Sequence, residues 1–325
     1  MSVGLRYEET AVESNVLQDV PTDVWWLKNT EWHTQYTSGE NTFYTEEGDY
    51  DVLLPMLDIR VDLTDDIVAR ASWGKTISRA PLGNLAGGLS LSSSPGLEGR
   101  TGGQGDTDLD PYESTNLDLS LEYYYAEGSY ASVGYFRKDV KNFISTRRIS
   151  SQYEGIRDIA AGSRYAQALA DLNAAGLSTT GEDIRLQMIA NGATVNAQGY
   201  LTPNADDPLM TWNITQPFNT SDNKTVDGIE VAVQHFFGDS GFGFGANATF
   251  VDGDVEFDVD DITKVDSVAD LEPQTPLTGL GDSANFQVFY EKHGLSVKVT
   301  YAWRDEYLIG VGQSQGSADN PPQFA

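Results

Sequence analysis

A two-residue periodicity whose polar phase carries charge limits this chain's fold more than any other feature. In residues 295–303 the odd positions are Leu, Val, Val, Tyr and Trp, and the even positions are Ser, Lys, Thr and Ala. Residues 117–125, 131–135, 229–237, 242–250, 284–290, 57–63 and 67–73 repeat the pattern. Alternate side chains of a strand point to opposite faces, so each segment has one apolar and one polar face. The polar faces hold Asp58, Arg60, Arg70, Asp118, Glu122, Glu230 and Lys298. A dry core does not accept so many charges, whereas a water-filled interior does.

The connections sharpen this reading. Short turns at 65–66, 126–128, 238–241 and 292–294 join the segments into four hairpins, and one further strand over 3–10 brings the expected total to about nine. The stretches between hairpins are long: 11–50, 79–112, 141–223 and 253–282. Loops of that length are uncommon in compact soluble domains. Helical spacing appears at 165–172 and more weakly at 184–189. Short turns alternating with long loops match bacterial transmembrane barrels, which have short periplasmic turns, long extracellular loops and aromatic girdles. Tyr123, Tyr125, Phe237, Phe242 and Tyr290 flank the short turns and form the expected girdle at headgroup level. The expected fold is therefore all-β: a partial antiparallel transmembrane barrel whose apolar face meets lipid. Alternation alone also fits a soluble antiparallel sandwich with one wet face.

Composition excludes several function classes. With 20 Lys+Arg against 49 Asp+Glu the net charge is −29, which excludes a basic nucleic-acid binder. There is no cysteine, hence no disulfide or thiolate site. His33, His235 and His293 lack metal-ligand spacing. The acidic stretch at 252–261 resembles a calcium loop, but an EF-hand counted from Asp252 would need Gly and Glu where Phe257 and Thr263 stand. Loose Ca²⁺ at such an acidic loop, bridging to lipopolysaccharide, is the one ion expected; no cofactor is. Gly96, Gly99, Gly102, Gly103 and Gly105 precede no phosphate-loop Lys, and no GxSxG occurs, so no enzyme is expected and no catalytic residue is assigned. Trp25, Trp26, Trp32, Tyr36 and Trp212 lie outside the regular alternation. Such rings either pack within their loops or stack on a sugar or flat organic ligand, and they are the candidate ligand contacts.

Several segments also resemble one family. Residues 51–60 (DVLLPMLDIR) are similar to its LPSLN-type strand, and 63–81 to the hairpin after it. Residues 108–116 (DLDPYESTN) resemble its NPxLxPExSxN loop-to-strand motif, and 227–230 (DGIE) its DGxE motif. Order and spacing together resemble the TonB-dependent outer-membrane receptors, most nearly the Xanthomonas–Caulobacter type, over the whole chain. The resemblance implies a plugged barrel of about 22 strands. It also implies import of a scarce ligand, carbohydrate first and ferric siderophore second, driven by the TonB–ExbB–ExbD complex through the plug. The start shows no secretory signal, TonB box or plug pattern, and nine strands fall short of 22. Residues 1–325 are thus expected to be an internal piece of a barrel domain in a Gram-negative outer membrane, with 141–223 a long extracellular loop. The rival function is a secreted, soluble, lectin-like module.

Overall fold

The structure, a computed structural model, describes residues 1–18, 21–36, 42–96, 100–254, 276–310 and 323–325. Among them, nine strands form one antiparallel sheet in strict chain order. They are β1 (Ser2–Gln18), β2 (Thr42–Asp62), β3 (Ile67–Ser78), β4 (Tyr112–Ala126), β5 (Ser129–Lys141), β6 (Lys224–Phe236), β7 (Phe242–Gly253), β8 (Ser283–Lys292) and β9 (Leu295–Arg304). An up-and-down sheet of this kind, with each strand hydrogen-bonded to its sequence neighbour, is a barrel wall.

Register turns the sequence alternation into two continuous surfaces. One row across the outward face reads Val61, Ala69, Leu121, Val133, Val231, Ala248, Ala284 and Trp303. The adjacent inward row reads Arg60, Arg70, Ser120, Gly134, Glu230 and Thr249. On β9 the apolar phase runs from Leu295 to Trp303. Eight rises of ~3.4 Å give roughly 27 Å along the strand, or roughly 21 Å at a tilt of about 40°, close to the height of a barrel's lipid band.

Each tight turn has a local cause. β8 and β9 are joined by His293 (φ 57°) and Gly294 (φ 76°). Positive φ at both central residues is the two-residue hairpin turn that matches strand twist. Thr64 Oγ accepts hydrogen bonds from the backbone N–H groups of Asp66 (3.2 Å) and Ile67 (3.0 Å), closing the β2–β3 turn. Gly228 on β6 faces inward, where a Cβ would lie 2.6 Å from the Phe136 ring and 2.4 Å from the Phe250 carbonyl oxygen. No side chain fits there without strand displacement.

One expectation is corrected and two are extended. The first strand does not stop near residue 10: β1 and β2 pair without a bulge up to Gln18↔Thr42, so much of 11–50 is strand. At 11–18 the inward side chains Ser14 and Gln18 already bond to loop residues Gly87 and Leu89. Polar residues there occupy both phases, and the alternation fades. Second, 141–223 is a folded insertion containing β-structure and helices, and both helical expectations hold: α1 spans Ser163–Ala174 and α2 Gly181–Ala190. Third, Ser90–Leu91 and Thr101–Gly103 in the 79–112 stretch join strands of that insertion. Of the acidic 252–261 stretch, residues 255–261 lie outside the described residues, as does most of the segment after residue 310.

Candidate functional site

The long connections fold together into one cap. The β1–β2 connection contributes a hairpin, Pro21–Lys28 against Glu31–Tyr36. The β3–β4 connection contributes Ser90–Leu91 and Thr101–Gly103, and the β5–β6 connection Ile144–Arg157, Leu209–Asn219, α1 and α2. The last four strands form one mixed sheet, in which Thr101–Gly103 runs parallel to residues 213–215. The molecule's principal buried cluster belongs wholly to this cap: Val24, Trp26, Trp32, Leu91, Ile156, Ile159, Ala168, Leu172, Ile184, Met188, Leu201, Met210, Trp212 and Ile214. No residue of β1–β9 joins it.

Aromatic and backbone contacts hold the connections in register. The Trp26 and Trp32 rings stack at 4.6 Å, with Tyr165 of α1 at 6.5 Å from Trp26. Trp26 and Leu201 exchange two backbone hydrogen bonds of 3.0 Å, joining the hairpin to the insertion. Thr34 Oγ1 donates to the Ser92 carbonyl (2.7 Å), and the Asn213 N–H to the Arg100 carbonyl (2.8 Å). Helix α2 begins with a capping box: Thr180 and Asp183 satisfy each other's free backbone donors. The Thr180 hydroxyl, which donates to the same carboxylate, holds Asp183 below its ordinary range. Glu182 accepts from Arg185 and from the Asn29 N–H of the hairpin, and those bonds, led by Arg185, hold its carboxyl low as well.

Two buried carboxylates tie the cap's polar side together. Asp158 receives Arg100 at 2.5 Å, and Asp207 receives Arg164, whose Nη2 also donates to the Thr202 carbonyl at 2.8 Å. Arg157 Nη1 donates to the Asp207 carbonyl at 2.6 Å. Burial pushes the Asp158 carboxyl above its usual range despite the opposing pull of Arg100. Charges this buried stay ionised only with close partners, so removing one partner costs more than the pair contributes.

The parity of β1 places the cap. Val3 and Leu5 face outward, so Ser14, Val16 and Gln18 face inward. Ser14 Oγ accepts from the Gly87 N–H (3.0 Å) and Gln18 Oε1 from the Leu89 N–H (3.2 Å), and Gly88 lies against Val16. The cap therefore leans on the lumen side of the β1–β2 extension, over the mouth. Below it the inward wall is ionic: Arg70 pairs with Glu122 (2.9 Å), and Glu8 with Arg6 (2.7 Å) and Arg79 (2.6 Å). The same wall has recesses of about 310 and 210 Å³ over β3–β7, sharing Ser120, Gly134 and Glu230, the larger reaching Glu122 and the smaller Arg70.

The candidate residues divide into two sets. Trp26, Trp32 and Trp212 are fully buried, so their ring faces are spent on the cap's own packing. Trp25 is half-buried with Nε1 on Asp23 (3.3 Å), and Tyr36 donates its hydroxyl to the Leu91 carbonyl (3.2 Å). Around the short turns, Tyr123 and Tyr125 lie 5.6 Å apart, Phe242 and Tyr290 4.7 Å, and His235 stacks on Tyr125 at 5.8 Å. Tyr123, Phe237 and Phe242 are exposed. Sequence reasoning passed over Met210 and Ile214, although Met210-Trp212-Ile214 alternates like any half-buried strand.

The model of the TonB dependent receptor-like β-barrel family matches residues 1–322. The chain belongs to this family. That assignment decides between a membrane barrel and a soluble lectin-like module in favour of the barrel. Solved structures similar to it include three receptors and transporters. The ferric enterobactin receptor mutant R480A from Pseudomonas aeruginosa has 17% identity and a TM-score of 0.47, covering 90% of this chain and 35% of that one. The siderophore receptor PirA from Acinetobacter baumannii has 15% identity and a TM-score of 0.49, covering 99% and 34%. The copper transporter OprC has 12% identity and a TM-score of 0.40, covering 98% and 34%. The chain thus spans about a third of the length of these structures. No curated protein matches it in sequence.

Proposed function

We propose that this chain forms one wall and the external cap of an outer-membrane receptor of a Gram-negative bacterium. The receptor captures a scarce ligand at its mouth and imports it. Energy comes from the inner-membrane TonB–ExbB–ExbD complex, acting through the plug such barrels enclose. The observation that carries this reading is the segregation of β1–β9 into a lipid-compatible outer face and an ionic inner face, with a folded cap at one end. Such a wall separates lipid from an aqueous path, and transport needs that separation. The chain's own groups would bind and orient cargo; no bond-making step is assigned to them.

Carbohydrate is the proposed cargo and a ferric siderophore the alternative. The net charge of −29 disfavours strongly anionic ligands at the mouth and leaves neutral oligosaccharides unaffected. Among the candidate rings, Trp25 retains exposed surface for sugar stacking, and Tyr36 is half-buried at the other end of the same hairpin, opposite Pro21. The test is uptake of labelled oligosaccharides and ferric siderophores by cells whose only such receptor is the complete protein, with and without TonB. Uptake of one class that disappears without TonB is expected. Uptake unchanged by TonB removal contradicts the proposal.

A further inference from the structure

The cap's core takes up one face of the 21–36 hairpin. Val24, Trp26 and Trp32 enter the buried cluster, and Thr34 is buried on the same side. The register puts four other side chains on the opposite face: Trp25 stands across from His33, and Asp23 across from Gln35. His33 is exposed, and Asp23, Trp25 and Gln35 are half-buried.

Trp25 is held differently from the rings beneath it. Trp26 stacks on Trp32 at 4.6 Å, whereas no ring stacks on Trp25 among the described residues. Trp25 Nε1 donates to Asp23 Oδ2 at 3.3 Å, which orients the indole by its edge while the ring keeps solvent-exposed surface. Asp23 Oδ1 accepts the Val24 N–H at 2.8 Å, which fixes the carboxylate; two further acceptor positions remain on it. Gln35 Nε2 reaches the His33 carbonyl only at 3.5 Å, and the His33 imidazole makes no hydrogen bond among the described residues. From behind, the hairpin is pinned by the paired backbone bonds of Trp26 with Leu201 and by the Thr34 N–H on the Ser93 carbonyl, both at 3.0 Å. These side chains therefore stand on a braced surface, which lowers the ordering cost of binding.

An indole with an amide, an imidazole and a carboxylate around it matches the chemistry of a sugar ring. The C–H face of a pyranose lies on the indole, and its hydroxyls both donate and accept at the rim. The one fixed charge among the four is that of Asp23, and it is negative. Glu31, at the turn end, is paired with Lys28 at 3.3 Å. The face thus disfavours anions and suits an uncharged ligand.

We propose that Asp23, Trp25, His33 and Gln35 form a subsite for one neutral pyranose unit. Trp25 is its stacking platform, and Asp23 is the residue that discriminates against acidic sugars. The inference deepens the carbohydrate reading above and rests on it.

The experiment is titration calorimetry of the complete receptor in detergent with cellohexaose, maltohexaose, mannohexaose and, as the anionic counterpart, hexagalacturonate. Wild type should bind at least one neutral hexasaccharide and reject hexagalacturonate. Trp25→Ala should weaken that neutral sugar about tenfold, the upper range for one aromatic contact, and Trp25→Phe should recover much of the loss. Asp23→Asn should weaken it about fivefold, the difference between a charged and a neutral acceptor, and should narrow the gap to hexagalacturonate. A residue that only supported the hairpin would not move that selectivity. Wild-type affinity in Trp25→Ala overturns the subsite, as does absence of heat with all three neutral sugars. Equal losses in Trp25→Ala and Trp25→Phe, with faster amide exchange over 21–36, overturn it by making Trp25 structural. TonB-dependent oligosaccharide uptake that persists unchanged in Trp25→Ala removes this subsite and leaves the transport reading standing. Uptake independent of TonB contradicts that reading whatever the calorimetry gives, so the two failures are distinguishable.

Discussion

At the residue scale, the cap depends on a few large rings. Trp26 is fully buried between Trp32 and Tyr165 and is bonded through its backbone to Leu201. Trp26→Ala should destabilise the cap by about 3–5 kcal/mol, the usual cost of deleting a large buried ring. Amide exchange should rise across 21–36 and 163–190 and stay unchanged in β4–β7. Uniform change would mean that cap and wall form one cooperative unit. A second residue-scale effect concerns pH. Glu182 is held low in the folded state, so its contribution is present above the ordinary Glu range of about 4.3 and is lost as pH falls through its folded value. Exchange protection at Asn29 and along the hairpin should therefore drop on acidification below about pH 4. In Glu182→Gln that drop should shrink, and an identical drop would assign it to another carboxylate.

At the element scale, the wall was far more legible in the sequence than the cap. Lipid on one side and water on the other force a two-residue period, and Ile67, Ala69, Ala71 and Trp73 wear it openly. The upper parts of β1 and β2 lose it because polar residues such as Glu13, Asn15, Glu47 and Asp49 stand in their outward phase. The cap was partly legible: α1 showed through Tyr165, Ala168 and Leu172, spaced for one helical face. Its strands escaped because their pairings are long-range. Residues 101–103 bond to 213–215, and no local pattern announces a partner 112 positions away. The candidate tryptophans were correctly singled out as unusual, but ring type alone does not separate a core residue from a ligand contact. Gly228 tests the wall directly. Gly228→Val places a branched side chain against the Phe136 ring and the Phe250 carbonyl. Loss of heat-modifiable mobility on gels, which reports barrel closure, is expected. Normal mobility would mean that β6 can shift at little cost.

At the scale of the whole molecule, β1 and β9 are the sheet's two edges among the described residues, and all of β9 is exposed. Unpaired strand edges and a bare apolar face favour association. The 325-residue chain expressed by itself should aggregate without detergent, as read by light scattering. A stable detergent-free monomer would speak against a membrane wall. The cap, by contrast, has its own buried core, and the wall has none of comparable size.

The central claim is that alternate residues of these strands meet different solvents, and a depth-resolved contact measurement tests it most directly. Single cysteines at Leu119, Val231 and Val299 and at their inward neighbours Ser120, Ala232 and Thr300 would carry a fluorophore in the complete receptor reconstituted into bilayers. Brominated lipids should quench the first three strongly and the second three weakly, and an aqueous quencher should show the reverse order at the inward sites. Equal quenching of both sets by lipid, or none at Leu119, Val231 and Val299, would contradict the account.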